Sequence, residues 1–429
     1  APMPEARRPL ETPNIKAPIQ GNDEGIPTPH GDIGAEVYRK RRQRLMEQMG
    51  SGVAVIYAAD SIGAGKRQNS DFYYLTGLAY EAGAVLVLAP EHPQYQEQLF
   101  LRTLEVEDNR WHGIRPMLGR AVELGTGIAR VSRTANMPIL LNRTILQCKS
   151  RELVYLGDFA TYNRPVSKEL QLYRDIQSRI LNCSIRDEHK ILPRMRSLHD
   201  QDEIRLMQHA IDASVSAYKA AMHAVKPGMN ERELMHDFER TLHENGCNSF
   251  AYEPIVGSGP NNWVLHYTAN NRTMNAGEMV LCDVGGEYQM YAADLTRTFP
   301  VDGKFTPRQR EIHDVVQEAW QTTVDMCKPG MTWVELNDAA RRVIDKAGFA
   351  DEYYHSLGHF LGLDVHDVGV ETEPLQPGQV LTIEPGVYIA SENIGVRTED
   401  DILITDTGCE VLSKDLPRSA SEIEAFMAR

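Results

Sequence analysis

The chain has 429 residues and a formal net charge of −15, with 42% hydrophobic and 24% charged residues. This length exceeds what one ordinary hydrophobic core supports, so the sequence predicts two domains. The acidic balance argues against nucleic acid or an anionic membrane as the main partner, because neither attracts a negatively charged protein.

The first part of the chain predicts an arm followed by a small mixed α/β domain. Residues 1–33 are rich in proline, glycine and charge without a hydrophobic period, which is typical of an extended arm. A helix is predicted over residues 37–49, and six short apolar runs predict strands. These runs are residues 53–57, 72–76, 84–88, 98–101, 139–141 and 153–156. The domain is expected to span residues 34–195.

A second domain is predicted over residues 196–429, and it contains a duplication. It starts near Asp200, a helix-capping residue that precedes a helical pattern over residues 203–225. The motif KPGM at 226–229 recurs at 328–331. A single duplication of this kind fits two halves of one domain. Each half is expected to place a helix before its strands, with a curved sheet inside and the helices outside.

The two halves carry acids at matching places. GEMVLCDVG aligns with GQVLTIEPG, which sets Asp283 over Glu384 at the ends of apolar strands. Asp294 follows in YAADLTRTF, a run expected to pair as the next strand of a hairpin, and Glu399 is its nearest counterpart in the second half. Neighbouring strands lie about 4.8 Å apart, so such acids can reach one ion pair together. His359 comes from the glycine-punctuated segment SLGHFLGLDVHD, which can bring an imidazole near them.

This set of side chains predicts a metal site. Clustered carboxylates repel each other and lose hydration unless a cation joins them. Four carboxylates and one histidine suit two divalent ions, with Mn²⁺ favoured and Co²⁺, Fe²⁺ or Zn²⁺ as alternatives. Two ions about 3.5–4 Å apart can share a bridging water and lower its pKa, which leaves hydroxide at neutral pH. Each acid alone is typical of a turn, but recurrence at repeat-equivalent places favours a hydrolase site.

Five segments of the second domain resemble the metal-dependent proline peptidases, aminopeptidase P and prolidase, which share the pita-bread fold with methionine aminopeptidase and creatinase. These segments are LHYTANN, CDVGGEYQMYAADLTRTFPV, SLGHFLGLDVHDVG, LTIEPGVYI and GVRTEDDIL. In the first domain, RQNSDFYYLTG resembles the amino-terminal domain of aminopeptidase P. The resemblance runs from about Val37 to the C-terminus. It implies an α+β fold class, with a C-terminal pita-bread domain preceded by a smaller mixed α/β domain.

The resemblance also implies which residues hold the metal ions. Asp283 would chelate one ion, His359 and Glu384 would hold the other, and Asp294 and Glu399 would bridge both. Creatinase shares the scaffold but lacks the full metal set, so the presence of all five residues favours peptide hydrolysis. Glu384 is expected to act also as a proton shuttle, from water to the leaving proline nitrogen.

Substrate-binding residues are expected around these ligands. An attacked carbonyl develops an oxyanion that needs donors at short range, and His266 and His366 are candidate donors that the resemblance also marks as substrate-binding. His355 matches a family histidine near the proline ring or carbonyl. Arg397 is expected to face the same side as Glu399 and to orient a ligand carboxylate or a substrate terminus. His355 and Arg397 could instead pair with local acids.

Trp111, in NRWHGIRP, resembles a family tryptophan that a neighbouring subunit contributes to the substrate pocket. This interpretation requires a homo-oligomer, a dimer or a tetramer. The alternative is a tryptophan in a surface loop, which is an equally ordinary place for this side chain.

The leading function is therefore a metallo-exopeptidase that hydrolyses the Xaa-Pro bond at the N-terminus of peptides. Prolidase, which acts on Xaa-Pro dipeptides, is the alternative, followed by a non-catalytic pita-bread interaction protein and a metal-free creatinase-like hydrolase. The six cysteines are scattered without a CxxC pair, which is typical of reduced thiols. They favour the cytoplasm, with a periplasmic or secreted protein after signal-peptide removal as the alternative. No apolar run approaches the ~18 residues of a membrane span.

Overall fold

The computed structural model describes residues 26–63, 65–103, 111 and 117–428. Most of the predicted N-terminal arm, residues 1–25, lies outside the described residues. The chain divides into two compact units, residues 1–189 and 190–429. The domain bounds expected from the sequence stay a prediction.

The first unit contains a four-stranded sheet, a two-stranded sheet and five helices among the described residues. The strands are β1 (Ala54–Tyr57), β2 (Val85–Leu88), β3 (Glu97–Leu101), β4 (Arg130–Arg133), β5 (Glu152–Tyr155) and β6 (Ser184–Asp187). The helices are α1 (Ala35–Met49), α2 (Ser70–Thr76), α3 (Arg120–Thr126), α4 (Met137–Gln147) and α5 (Lys168–Gln177). The sheet order is β1-β2-β3-β4, antiparallel except for the parallel pair β3–β4, and β5 pairs in parallel with β6.

Two of the predicted strands are wrong, because residues 72–76 lie in α2 and residues 139–141 lie in α4. Both runs are too short for hydrophobic periodicity to separate a strand from a buried helix. For α2 the local signals that decide are caps. The Asn69 side chain accepts a hydrogen bond from the Phe72 N–H at the start of α2, and Gly77 ends that helix with a φ of 72°.

The second unit contains six helices and the remaining strands of the described chain. The helices are α6 (Ile191–Arg196), α7 (Gln201–Ala224), α8 (Glu231–Glu244), α9 (Pro307–Met326), α10 (Trp333–Lys346) and α11 (Ala420–Met427). The strands are β7 (Ser249–Phe250), β8 (Ile255–Ser258), β9 (Met279–Asp283), β10 (Gly286–Tyr288), β11 (Tyr291–Ala292), β12 (Thr296–Pro300), β13 (Val380–Ile383), β14 (Gly386–Ile389), β15 (Ile394–Arg397), β16 (Asp400–Ile404) and β17 (Cys409–Val411).

The duplication is visible in the order of elements. α8 and α10 each begin with a capping box, formed by Asn230 with Glu233 and by Thr332 with Glu335. After each helix, one strand leads to an acid and pairs antiparallel with a later strand, β9 with β12 and β13 with β16. The sheet orders are β12-β9-β8 and β13-β16-β17. The halves therefore repeat both the helix and the paired strands behind it.

The two halves join at Thr296 and Glu399. The Glu399 N–H donates to the Thr296 carbonyl at 3.0 Å, and the Thr296 N–H donates back to the Glu399 carbonyl at 3.4 Å. Because Thr296 also lies opposite Asp283 in the β9–β12 pair, this junction draws acids of both halves to one place. No helix in residues 26–63, 65–103 and 117–428 is long and apolar enough to cross a membrane.

Candidate metal centre

The five predicted metal ligands line one cavity of about 380 Å³. Their backbone positions share a pattern, because each acid lies at the end of a strand or shortly before one. Asp283 is the last residue of β9, and Glu384 directly follows β13. Asp294 precedes β12 and Glu399 precedes β16, so these two acids lie beside strands rather than within them. His359 lies in the segment between α10 and β13.

Two glycines allow these segments to approach each other closely. A Cβ at Gly285 would lie 1.7 Å from the Ala293 carbonyl oxygen, so only glycine lets the chain after Asp283 pass the chain before Asp294. A Cβ at Gly358 would lie 2.1 Å from a backbone oxygen of β13. The chain at His359 consequently packs directly against that strand. Glycine is therefore needed at both positions, because a side chain would clash with the neighbouring backbone.

The ligand atoms of the predicted set lie within a few ångströms of one another. The Nε2 atom of His359 is 3.3 Å from Oδ2 of Asp294 and 3.5 Å from Oε1 of Glu384. Asp294, His359 and Glu399 each offer an atom within 4.8 Å of the other two. Asp283 joins the group through the Tyr252 hydroxyl, which lies 2.6 Å from an oxygen of Asp283 and 2.6 Å from one of Asp294.

The electrostatics of this cluster show an excess of negative charge. Burial raises the pKa of Glu384 to about 8, and burial together with neighbouring carboxylates raises the pKa of Asp294 and holds that of Glu399 well above its usual range. Burial lowers the pKa of His359, but its hydrogen bond to Asp294 and the nearby acids raise it overall, to about 9. Arg397 is the permanent cation among the cavity-lining residues.

Oxygen atoms of four carboxylates and one imidazole nitrogen are a donor set that fits divalent cations. A cation would offset the burial and the mutual repulsion that raise these carboxyl pKa values, since it favours the ionised form of each acid. The buried cluster of Asp294, His359 and Glu399 therefore suits a divalent metal ion.

Residues outside the predicted set hold the predicted ligands in place. The Thr296 hydroxyl donates to Oε2 of Glu399 at 2.6 Å, and the Asp294 N–H donates to Oδ2 of Asp401 at 3.1 Å. Tyr252, which donates to two of the ligands, was missed by the sequence analysis. It lies in the short connection between β7 and β8, where neither periodicity nor the repeat marks a functional tyrosine.

The buried side chain of Arg297 binds the backbone at Glu399 and the carboxylate of the next residue, Asp400. Its guanidinium donates to the Glu399 carbonyl at 2.7 Å and to Oδ1 of Asp400 at 2.7 Å. Both side chains of this ion pair are fully buried. Arg418 donates to the other Asp400 oxygen at 2.7 Å, so the negative charge of this aspartate is fully compensated within the fold.

Arg397 lies in the same cavity and contacts Asp283. Its Nη2 atom is 2.5 Å from Oδ2 of Asp283, and its Nη1 donates to the Tyr388 hydroxyl at 3.0 Å. The same hydroxyl is 2.9 Å from Nε2 of His355. Burial and the charge of Arg397 lower the pKa of His355 to about 4, so this imidazole is neutral at physiological pH. The result is a continuous hydrogen-bonded chain from one acid to His355.

His266 and His366 also line the cavity. The rings of His366 and His359 are tilted by 46° to each other, with their centroids 4.0 Å apart. Burial and the neighbouring imidazoles lower the pKa of His366. The segment that carries His366 is clamped by Arg196, which donates to Asp364 at 2.7 Å and also to Asp367. Both histidine side chains therefore face the cavity and can contact a molecule bound in it.

Trp111 is the one predicted site residue that lies in the other unit. Its side chain is 81% exposed. The residues on either side of it, 104–110 and 112–116, lie outside the described residues.

Removal of the Tyr252 hydroxyl should weaken the metal centre. Tyr252→Phe leaves the ring in place but takes away the donor that orients Asp283 and Asp294. Outer partners of metal ligands are typically worth about 10–100-fold in metal affinity or activity, and we expect a loss in that range. Isothermal titration with Mn²⁺ and steady-state kinetics measure it. Tyr267→Phe, which removes a hydroxyl bonded to Glu231 away from the ligands, is the matched control.

Metal stripping should make stability strongly dependent on pH. Without a cation, the pKa of Glu384 is raised to about 8 and that of His359 to about 9, so the folded state holds more protons than the unfolded state in this range. The free energy of unfolding of stripped protein therefore falls as pH rises from about 4.5 through about 8. Metal ions bind the deprotonated groups and release these protons. Thermal melts with and without EDTA, between about pH 6 and 8.5, should diverge with rising pH; parallel curves would contradict this.

Comparisons with known proteins agree on one family. Residues 205–406 match the model described as metallopeptidase family M24, and residues 38–155 match the aminopeptidase P N-terminal domain. The chain is 36% identical to an Xaa-Pro aminopeptidase of Escherichia coli (strain K12), over 92% of this chain and 98% of that protein. An Xaa-Pro aminopeptidase of Haemophilus influenzae is 30% identical, over 91% of this chain and 97% of that protein.

Solved structures give the same result. A putative aminopeptidase P from Bacillus anthracis superposes with a TM-score of 0.85 at 29% identity, covering 92% of this chain and 99% of that one. Aminopeptidase P from Escherichia coli with the inhibitor Pro-Leu superposes with a TM-score of 0.82 at 33% identity, covering 93% and 99%. The similarity therefore extends over nearly the whole length of both proteins.

Proposed function

Because this chain belongs to metallopeptidase family M24, in its aminopeptidase P group, we propose that it is a metal-dependent hydrolase that cleaves the Xaa-Pro bond at the N-terminus of peptides. The observation that carries this proposal is the convergence of five ligand side chains from both halves of the duplicated unit on one cavity. Homologues named Xaa-Pro aminopeptidase, similar over their full length, support the substrate class.

We propose that Asp283, Asp294, His359, Glu384 and Glu399 hold two divalent ions. Mn²⁺ suits a centre with four carboxylates and one imidazole best, and Co²⁺, Zn²⁺ or Fe²⁺ remain alternatives. Such ions, when bound, supply Lewis-acid chemistry that polarises a carbonyl and lowers the pKa of water. The remaining tasks of catalysis fall to the side chains of the cavity.

Proton transfer is assigned to Glu384. Its side chain is largely buried in the cavity wall, and burial holds the pKa of its carboxyl far above that of a carboxyl in water. It takes a proton from the attacking water and delivers it to the proline nitrogen as the peptide bond breaks. That nitrogen is a tertiary amide without an N–H and leaves as a secondary amine, so protonation during bond cleavage is essential.

Three imidazoles and one guanidinium bind the substrate in this proposal. His266 and His366 line the cavity beside the ligands and donate hydrogen bonds to the carbonyl oxygen as it gains negative charge. His355 is neutral and connected to Tyr388, which favours contact with the uncharged proline ring or its carbonyl. Arg397 holds Asp283 and offers its charge to a substrate terminus.

Proline-specific exopeptidase activity is tested with defined peptides. Mn²⁺-supplemented protein is incubated with Xaa-Pro-Yaa peptides, Xaa-Pro dipeptides and Xaa-Ala-Yaa controls. We expect release of the first residue from Xaa-Pro-Yaa and none from Xaa-Ala-Yaa. Cleavage confined to dipeptides would assign the chain to prolidase, the second candidate, which the segment GHFLGLDVHDVG suits equally well. Metal-loaded protein that cleaves no peptide would overturn the hydrolase proposal.

The proposed assembly is a homo-oligomer, a dimer or a tetramer, in which Trp111 extends into the substrate pocket of a neighbouring subunit. The 81% exposure of this large aromatic side chain supports a role in contact with another molecule. Light scattering of the purified protein tests the assembly. We also propose a cytoplasmic location, since all six cysteines are free thiols and five of them are buried.

A further inference from the structure

Glu253 differs from every other acid of the metal cavity. Asp283, Asp294, Glu384 and Glu399 are largely buried and each contacts a cation, a hydroxyl or an imidazole of the site. Glu253 lines the same cavity but is exposed to solvent. Its carboxylate has no hydrogen bond or ion pair within the described part of the chain. It is therefore a negative charge at the cavity mouth that the metal centre does not use.

The backbone holds Glu253 at a defined position. The preceding residue, Tyr252, is anchored by its hydroxyl on two of the metal ligands. The carbonyl of the following residue, Pro254, accepts a hydrogen bond from the Asn270 side chain at 2.8 Å. The same asparagine side chain accepts a hydrogen bond from the Val256 N–H at 2.9 Å. A residue before proline is confined to extended conformations. The backbone at Glu253 is therefore held in place by the contacts of the residues on both sides of it.

The charge of Glu253 suits a cation, and a peptide substrate offers two. The α-ammonium is joined to the scissile carbonyl carbon through a single Cα, so it lies roughly 2.5 Å from that carbon and must be bound among the buried ligands. Glu253, in contrast, is exposed to water and so suits a cation that also stays in water. A lysine or arginine side chain on the first residue has a long apolar stem and keeps its charged head in water.

The cavity wall next to Glu253 suits such a stem. Ile255 and Leu265 line the cavity and belong to one apolar cluster with Leu281 and Tyr388. Ile255 follows Glu253 by two residues, so the apolar wall and the exposed carboxylate border the same cavity. The wall therefore offers apolar contact along the stem and a carboxylate for the charged head.

We propose that Glu253 is a specificity-determining residue that favours peptides with lysine or arginine before the proline. This inference rests on the proposed Xaa-Pro aminopeptidase function and names the substrate class of the same site. An exposed ion pair contributes little, so the preference over an uncharged residue of similar length is roughly two- to fivefold in kcat/KM. A first residue with a negative side chain is disfavoured by the same interaction.

The test compares Lys-Pro-Yaa, Met-Pro-Yaa and Glu-Pro-Yaa peptides on the Mn²⁺-loaded full chain. In Glu253→Gln the ratio of kcat/KM for Lys-Pro-Yaa over Met-Pro-Yaa should fall to about one, while kcat/KM for Met-Pro-Yaa stays unchanged. Glu253→Lys should move the preference toward Glu-Pro-Yaa. In the unmodified protein the lysine preference should shrink as ionic strength rises from about 0.02 to 0.5 M, because exposed charges are screened.

Glu318→Gln is the matched control, since it removes one exposed carboxylate on α9 outside the cavity lining and changes the net charge equally. It should leave all three rates unaltered. Equal ratios in Glu253→Gln and the unmodified protein would overturn the assignment of Glu253, and so would a charge preference that follows the third residue of the peptide instead of the first. Either outcome leaves cleavage of Met-Pro-Yaa intact, whereas loss of cleavage of every peptide by the unmodified protein contradicts the proposed function itself.

Discussion

Asp294→Asn is expected to lower kcat/KM for an Xaa-Pro-Yaa peptide by about three orders of magnitude or more. Lewis-acid stabilisation by a bound metal is worth several kcal/mol in the transition state, and about 4 kcal/mol corresponds to a thousandfold in rate. Asp294 lies among the proposed ligands, since its Oδ2 is 3.3 Å from Nε2 of His359 and its Oδ1 accepts a hydrogen bond from the Tyr252 hydroxyl. Asparagine keeps the shape of the side chain but loses the negative charge that a shared cation requires.

Two measurements separate loss of metal from loss of fold. Elemental analysis of Asp294→Asn should show fewer bound ions per chain, and circular dichroism should match the unmodified protein. Asp338→Asn, an exposed position on α10, makes the same chemical change outside the cavity and should retain full activity and metal content. Undiminished activity in Asp294→Asn would exclude this aspartate as a ligand.

The second large effect is expected for Glu384→Gln, which should lower kcat by about 10²–10⁴-fold. Glutamine can still offer an oxygen to a cation, so most of the bound metal should remain. It cannot accept and return a proton, so the attacking water and the proline nitrogen lose their carrier. A bound cation favours the ionised form of this carboxyl, and the ionised form is the one that accepts a proton from water.

The signature of a proton carrier is a change in the pH profile. The limb of the kcat profile that reports the Glu384 carboxyl should disappear in Glu384→Gln, while KM for Xaa-Pro-Yaa stays within a few fold. Glu371→Gln, at an exposed site outside the cavity lining, serves as the control. A variant that loses its metal together with its activity would assign Glu384 to ligation alone.

The two halves of the duplicated unit explain why these effects are expected to be large. Arg397 and Asp283 come from different halves, yet their side chains approach to 2.5 Å, and the Thr296–Glu399 junction connects the same halves through backbone hydrogen bonds. The ligands are therefore held by the meeting of two sheets rather than by one flexible loop. Such rigid placement is what electrostatic catalysis requires.

Local patterns in the sequence were sufficient to predict much of the fold and of the function. The family, the α+β fold class with its C-terminal pita-bread domain and the hydrolase function were all predicted from motifs and are confirmed. The helix over 231–244 was predicted with the bounds that the structure shows. These predictions depend on short-range signals, namely helix caps and repeated motifs, which can be recognised in the sequence alone. The roles of the individual site residues stay predictions.

Other features could be recognised only in the folded structure, above all contacts between residues that are far apart in the sequence. Residues 72–76 are helical between the caps Asn69 and Gly77, and residues 139–141 lie inside the longer helix α4, which has a proline in its first turn. The partnership of Tyr252 with two aspartates and the exposure of Glu253 depend on how β7, β8 and β9 are arranged in space. Side chains from separate elements meet only after the chain has packed, so no periodicity or spacing in one sequence encodes their distance or their burial.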